Sequence, residues 1–402
     1  MQSDTATFIT WDGPDQNYLE SLFLPIFDGA RSADLDFTVL QFTWGPDELR
    51  ESIRRTAAGL QIPYEVHTVW RKPLKLATAA MIAAGAARII AHARRHGTTV
   101  LMPRSIIPAA MTLIARRRLP DVRIVYDSDG FMADERVEFQ GWSSQGITYR
   151  IFRDVEAQIS RVADRVMTRS HSGADILRER VGPELDDICV VPNAKDADQF
   201  SPRSADRRRE MRRISDIDED APFIIYAGSL GPRYKPEALF ELFRRIHDRD
   251  ERSRLMVLTG NKEVARSMID ADDYPTRAVT IGRVAPDEVA DYLASADLGI
   301  SFREPSFSQR GVCPIKIAEY LLCGLPTVAS TGVGDVADQI DDSVGIAVDD
   351  VDDATLDGIV DDFFERILPD RDGFRERCRQ TGLDHFGLHR AARGYRRALG
   401  VD

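Results

Sequence analysis

The densest chemistry in the sequence lies between residues 306 and 330, SFSQRGVCPIKIAEYLLCGLPTVAS. Pro314 suits the first turn of a helix, where the amide hydrogen it lacks would have no partner. Gly311, Val312 and Cys313 then form a loop whose free amides can meet an anion, and Ile315 opens the helix behind them. Lys316 and Glu319 stand three positions apart, hence on one helix face. An ammonium in the first turn opposes the helix dipole, so an anionic ligand is the expected reason for it. The competing reading is a surface ion pair between Lys316 and Glu319, which contributes little to stability.

A second constellation, YAGSLGPRYKPEAL, places Gly228, Ser229 and Gly231 directly after a strand-like run, with Arg233 and Lys235 before a helix. Glycines admit a phosphate close to the backbone, and the cations neutralise it. The competing reading is a turn with solvated cations. The spacing is neither GxGxxG nor a loop ending in GK[ST], which counts against nicotinamide binding and ATP hydrolysis. In the first half, Asp127, Asp129, Asp134 and Glu135 cluster after one strand, and Arg104 and Ser105 follow another. Three uses are open to these carboxylates: hydrogen bonding to an acceptor, structural capping, and metal ligation. His171 is flanked by Ser170 and Ser172 at a helix start, where serines cap.

These residues need a scaffold, and the chain of 402 residues is long enough for two domains of roughly 200 each. ATFIT, FTVLQF, TTVLMP, VRIVYDS, RVMTRS and DICVVPN alternate with helical stretches such as LRESIRRTAAGL and AAMTLIARRRL. After the polar stretch KDADQFSPRSADRRREM, a second series begins: FIIYAG, RLMVLTG, AVTIG, LGISF, PTVAS and GIAVDD. Such alternation predicts two α/β domains with parallel sheets. The expected bounds are 1–194, 195–375 and a helical tail at 376–402. Ligands gather beyond the carboxyl ends of strands in such sheets, where both loops fall.

With 43% hydrophobic and 29% charged residues the composition is that of an ordinary globular protein. The net charge of -12 counts against nucleic acid as a partner. Cys189, Cys313, Cys323 and Cys378 lack paired metal spacing and read as reduced core thiols. The start MQSDTATFITWDGPD has no basic, apolar and small-residue sequence of a leader, and no run reaches about 18 apolar residues. A cytoplasmic protein is expected. LATAAMIAAGAARII reads as a buried helix, and WRKPLKLATAAM as a solvated helix start or a peripheral contact with the inner face of the membrane.

CPIKIAEYLLCGLPTVA resembles the donor motif of glycosyltransferase family 4, the glycosyl transferases group 1: Pro, x, Lys, x, x, Glu, Tyr, Leu, then Gly, x, Pro. YAGSLG, VTIGRVAPDEVADYLASADLGI and VVPNAKDADQFSP are similar to that family's donor-domain start, the segment before the donor motif and the interdomain signature PNGVD. LMPRSIIPAA and VYDSDGFMADERVEFQGW resemble a subgroup with Asp-x-Arg-Gly followed by Asp-Glu-Arg. The resemblance implies a GT-B architecture of two Rossmann-like domains facing a cleft, with the last helix crossing back to the first domain. It implies a nucleotide-diphosphate sugar as donor, a glycan or lipid-linked glycan as acceptor, retention of configuration, no cofactor or metal, and a place in surface polysaccharide biosynthesis. Lys316 would hold the diphosphate, Glu319 the ribose hydroxyls, and Lys235 or Arg233 a second phosphate charge. Lys316, Lys235 and Asp127 form the expected catalytic set, with Asp129, Glu135 and Arg104 on the acceptor side. Three positions depart from the family: Gly311 where many relatives carry glutamate, Ser229 where arginine is common, and Asp129 where the subgroup has arginine. A sugar-nucleotide epimerase of the same plan and a non-catalytic nucleotide-sugar binder are the alternatives.

Overall fold

A computed structural model of the protein describes residues 3–14, 18–72, 74–182, 185, 187–270 and 274–401. The chain divides into two compact units. The first is Met1–Pro192 with Arg310–Val312 and Leu388–Asp402; the second is Asn193–Gln309 with Cys313–Gly387.

The first unit is built on β1 (Asp4–Asp12), β2 (Leu35–Thr43), β3 (Tyr64–Thr68), β4 (Val100–Pro103), β5 (Arg123–Asp127), β6 (Arg165–Thr168) and β7 (Ile188–Val190). They form one parallel sheet in the order β3-β2-β1-β4-β5-β6-β7. Helices cover both faces, so inner strands read as unbroken apolar runs: all four residues of β4 are buried. β3 was not foreseen, because YEVHT is polar and no residue in it is fully buried; it survives as the edge strand, paired among the described residues with β2 alone.

The second unit repeats the plan with β8 (Phe223–Ala227), β9 (Arg254–Leu258), β10 (Val279–Gly282), β11 (Leu298–Ser301), β12 (Thr327–Ser330) and β13 (Gly345–Val348), all six foreseen. The order is β10-β9-β8-β11-β12-β13, again parallel. In both sheets the order reverses beside the first strand, between β1 and β4 and between β8 and β11. Loops at such a switch point splay apart and leave room for a ligand.

The tail expected as one segment from residue 376 is two helices, Arg371–Phe386 and Leu388–Leu399, parted at Gly387, whose backbone is extended. The first belongs to the second unit and crosses the helix Ile315–Leu322 so closely that a Cβ on Gly382 would stand 2.7 Å from the Leu322 amide nitrogen. Only the second joins the first unit, where Tyr395 packs edge-on against Phe27 with ring centroids 5.6 Å apart. The expected bound at 194 falls two residues earlier, after Pro192.

Candidate functional site

In the second unit, β8 delivers Tyr226 and is followed by Gly228, whose φ of 136° lies in the region that favours glycine. Ser229, Leu230 and Gly231 lead into the tight turn Pro232–Tyr234, and Lys235 holds a left-handed conformation, φ 41°, before the helix Pro236–Arg249. Across the switch point, β11 delivers Arg303. The helix Ile315–Leu322 then places Lys316 over the ring of Tyr226, 3.9 Å from its centroid, and 4.3 Å from that of Tyr234. Its Nζ donates to the Tyr226 hydroxyl, which donates to Ser229 O at 2.5 Å. Tyr234 gathers two further cations, with Arg303 Cζ at 5.0 Å and Arg233 Cζ at 5.7 Å from its ring centroid. Burial, then the Arg303 charge, push the Lys316 ammonium well below the usual lysine range, against the pull of Glu319. Gln309 orients Arg303 by accepting from its Nε at 2.8 Å and its Nη2 at 2.5 Å.

Lys316 and Glu319 do not pair with each other. Glu319 Oε1 is 2.9 Å from Lys195 Nζ, and both side chains are largely buried. Lys195 is fixed at its backbone, donating from N to Phe386 O at 2.9 Å. Its neighbour Asn193 donates from Nδ2 to Cys313 O at 2.7 Å, tying the start of this unit to the residue before Pro314. The surface ion pair weighed from the sequence is therefore absent. Lys235 Nζ lies 3.2 Å from Glu304 Oε2.

The first unit corrects the expectation for Asp127. It is fully buried at the end of β5, and Arg169 donates to both of its oxygens at 2.5 Å. A carboxylate held in this way cannot reach an acceptor hydroxyl; Asp127 neutralises the buried Arg169, which also donates to Val191 O at 3.1 Å. Asp129, with its side chain 36% exposed, reaches solvent, and Arg104 Nη2 is 2.5 Å from its Oδ1. Asp134 accepts from Arg180 at 2.9 and 3.0 Å and from Tyr149 at 3.0 Å, so it belongs to the scaffold. Glu135 lies in the first turn of the helix Met132–Gln140.

Gly311 and Val312, expected to form one loop with Cys313, fall with Arg310 in the first unit. A Cβ on Gly311 would stand 2.7 Å from Phe131 Cε2 and 3.2 Å from Gly130 Cα, a physical reason why no glutamate occupies this position. Ser170 caps the helix His171–Val181, accepting from Gly173 N at 3.0 Å. Trp70 is 73% exposed. Pro73 and the side chains of residues 74–76, part of the stretch weighed for membrane contact, lie outside the described residues. All four cysteines are buried, and none is in a disulfide. Among the described residues no helix is long and apolar enough to cross a membrane.

Sequence reasoning missed Tyr226, Tyr234, Arg303 and Lys195. Arg303 had one available signal, a cation just past a strand end. Asp12 at the end of β1 was missed as well; it accepts from Thr10 at 2.8 Å and Gln41 at 2.7 Å, and burial pushes its carboxyl up.

Residues 207–382 match the family described as Glycosyl transferases group 1. The D-inositol 3-phosphate glycosyltransferase of Paenarthrobacter aurescens (strain TC1) is 30% identical over 248 residues, covering 59% of this chain and 57% of that protein. The chain spans about half the length of the curated relatives it matches. Among solved structures, Anabaena HepE in complex with UDP-glucose superposes with a TM-score of 0.73 at 15% identity, covering 98% of this chain and 99% of that one. A glycosyltransferase from Rickettsia africae ESF-5 does so with a TM-score of 0.74 at 15% identity, over 100% of both chains. The architecture, two Rossmann-like units with parallel sheets, is that of the GT-B fold.

Proposed function

We propose, from the match of residues 207–382 to the glycosyl transferases group 1 family and from the GT-B fold, that this chain moves a sugar from a nucleoside diphosphate to a hydroxyl of a glycan or lipid-linked glycan. One observation carries the reading: Lys316, Arg303 and Arg233 surround Tyr234 beside the switch point of the second sheet. Cations crowded onto one ring repel each other, and a diphosphate relieves that repulsion. The solved HepE complex holds UDP-glucose on the same fold.

In this reading the diphosphate meets Lys316 and Arg303, and Glu319 accepts from the ribose hydroxyls. The bond between the anomeric carbon and the phosphate oxygen breaks, the acceptor oxygen bonds to that carbon on the same face, and the acceptor proton passes to the departing phosphate. Negative charge grows on the phosphate, and Lys316 stabilises it without moving. No metal or cofactor takes part. Of the acceptor-side candidates, Asp129 would accept from the acceptor hydroxyl.

Surface polysaccharide assembly at the cytoplasmic face of the membrane is the setting we infer. The matched relatives named D-inositol 3-phosphate glycosyltransferases make a phosphorylated polyol the comparison acceptor. Arg104 is committed to Asp129 and Arg169 to Asp127, which favours a neutral acceptor hydroxyl over a phosphorylated one. The deciding experiment incubates uridine, guanosine and adenosine diphosphate sugars with neutral glycan, lipid-linked and inositol phosphate acceptors, with chelator present, and assigns the product anomer by NMR. Retained configuration with a neutral acceptor supports the reading. Turnover of donor without acceptor marks an epimerase, and binding without turnover on any acceptor marks a sensor; either result ends it.

A further inference from the structure

At the far edge of the first sheet, away from the switch point, β3 faces the last turn of the helix Leu74–His96. His92 and His96 stand four apart on that helix, the spacing that puts two imidazoles on one face. Glu65 of β3 lies opposite, its Oε2 2.8 Å from His92 Nδ1. One ligand atom from each of Glu65, His92 and His96 falls within 4.8 Å of the others. We propose that Glu65, His92 and His96 form a binding site for one divalent transition ion of the zinc class, which clips the edge strand β3 to this helix.

The chemistry of the donor set fits. Two imidazoles and a carboxylate suit zinc, cobalt or nickel rather than calcium or magnesium. Bonds of about 2.0–2.2 Å set tetrahedral ligands roughly 3.4 Å apart, within a small side-chain adjustment of the observed spread. A metal on Nδ1 requires the proton of His92 on Nε2, and that nitrogen is 3.0 Å from Thr38 Oγ1, the outer partner that a metal-bound histidine needs. Thr38 Oγ1 in turn lies 2.9 Å from Thr7 Oγ1, and Thr7 Oγ1 2.7 Å from Thr98 Oγ1; in both pairs either hydroxyl can donate, so the chain reverses to suit this tautomer.

Two groups oppose or modify the site. Arg95 Nη1 donates to Glu65 Oε2 at 2.7 Å, but its side chain is 60% exposed and free to swing into water. His67 Nε2 lies 2.9 Å from Glu65 Oε1 and can hold the second carboxylate oxygen. The cluster escaped sequence reasoning because Glu65 sits on the strand that was not foreseen.

The test titrates untagged, chelator-stripped protein with zinc by calorimetry and with cobalt by visible absorption. Expected are one ion per chain, dissociation constants in the micromolar range or tighter, and a rise in melting temperature on loading. His96→Ala and Glu65→Gln should each weaken binding at least tenfold, and Thr38→Val by about 10–100-fold. Arg95→Ala should tighten it, an effect that no merely structural hydrogen-bonded cluster predicts. His389→Ala, an exposed histidine elsewhere, should leave it unchanged. Circular dichroism of each variant confirms folding. Absence of binding at about 100 μM zinc, undiminished binding in folded His96→Ala, or weaker binding in Arg95→Ala would each overturn the proposal.

Discussion

Gly228 and Lys316 compete for the same space: a methyl on Gly228 would overlap Lys316 Cε and stand 3.1 Å from its Nζ. The glycine thus serves two ends, a φ of 136° that L side chains avoid and a slot for the lysine stem. Gly228→Ala is therefore expected to displace Lys316 from the two tyrosines. Because left-handed backbone strain of about 1–2 kcal/mol adds to the clash, its donor affinity and turnover should both fall while Ser229→Ala leaves them nearly unchanged. Equal kinetics for the two variants would contradict the relationship.

Lys316→Ala and Glu319→Ala should separate in kinetics. Phosphate charge grows in the transition state, so loss of Lys316 is expected to lower turnover by about 10² to 10³. Ribose hydroxyls carry no such change, and loss of Glu319 should raise the donor Michaelis constant with turnover nearly kept. Steady-state measurement at saturating donor decides, and full turnover in Lys316→Ala would refute its role.

Lys195→Met should copy Glu319→Ala in part. It leaves the carboxylate in place but removes the ammonium 2.9 Å from Oε1 that holds its rotamer. A rise of about tenfold in the donor Michaelis constant, equal to about 1.4 kcal/mol, is expected, with partial recovery in Lys195→Arg. The ratio of Michaelis constants for donors with and without the ribose 2′-hydroxyl should narrow in Lys195→Met, which a loss of packing alone would not cause.

Asp127→Asn tests whether Asp127 serves the scaffold rather than the acceptor. Without the carboxylate, the buried Arg169 keeps an uncompensated charge, a loss of about 3–5 kcal/mol in such settings. A large fall in urea midpoint is expected. Near-wild-type stability with abolished transfer would return Asp127 to the catalytic set.

Glu156 links stability to pH. Burial pushes its carboxyl up to about 7, although Arg153 and Arg180 pull the other way. The folded value lies above the ordinary value of about 4.3, so the native state keeps a proton that the unfolded chain releases. The resulting stabilisation is complete below about pH 4 and is lost as pH rises to about 7. Urea unfolding between those limits should show this downward slope, flattened in Glu156→Gln; identical slopes would exclude Glu156 as its source.

By itself the sequence determined the two parallel sheets, the position of the switch-point loops after β8 and β11, and the helix that presents Lys316 and Glu319 on one face. These follow from local causes: apolar runs of strand length, a proline at a helix start and a spacing of three. Only the tertiary structure decided what those side chains meet. Lys316 rests on Tyr226 and Tyr234, and Glu319 is taken by Lys195, because β8 and the start of the second unit return to the same helix from distant parts of the chain. Asp127 looked like an exposed strand-end carboxylate until Arg169 of the neighbouring strand end covered it. β3 stayed hidden for the same reason in reverse: its polar residues acquire partners only after the helix Leu74–His96 packs over them, and no local periodicity records a hydrogen bond made across the fold.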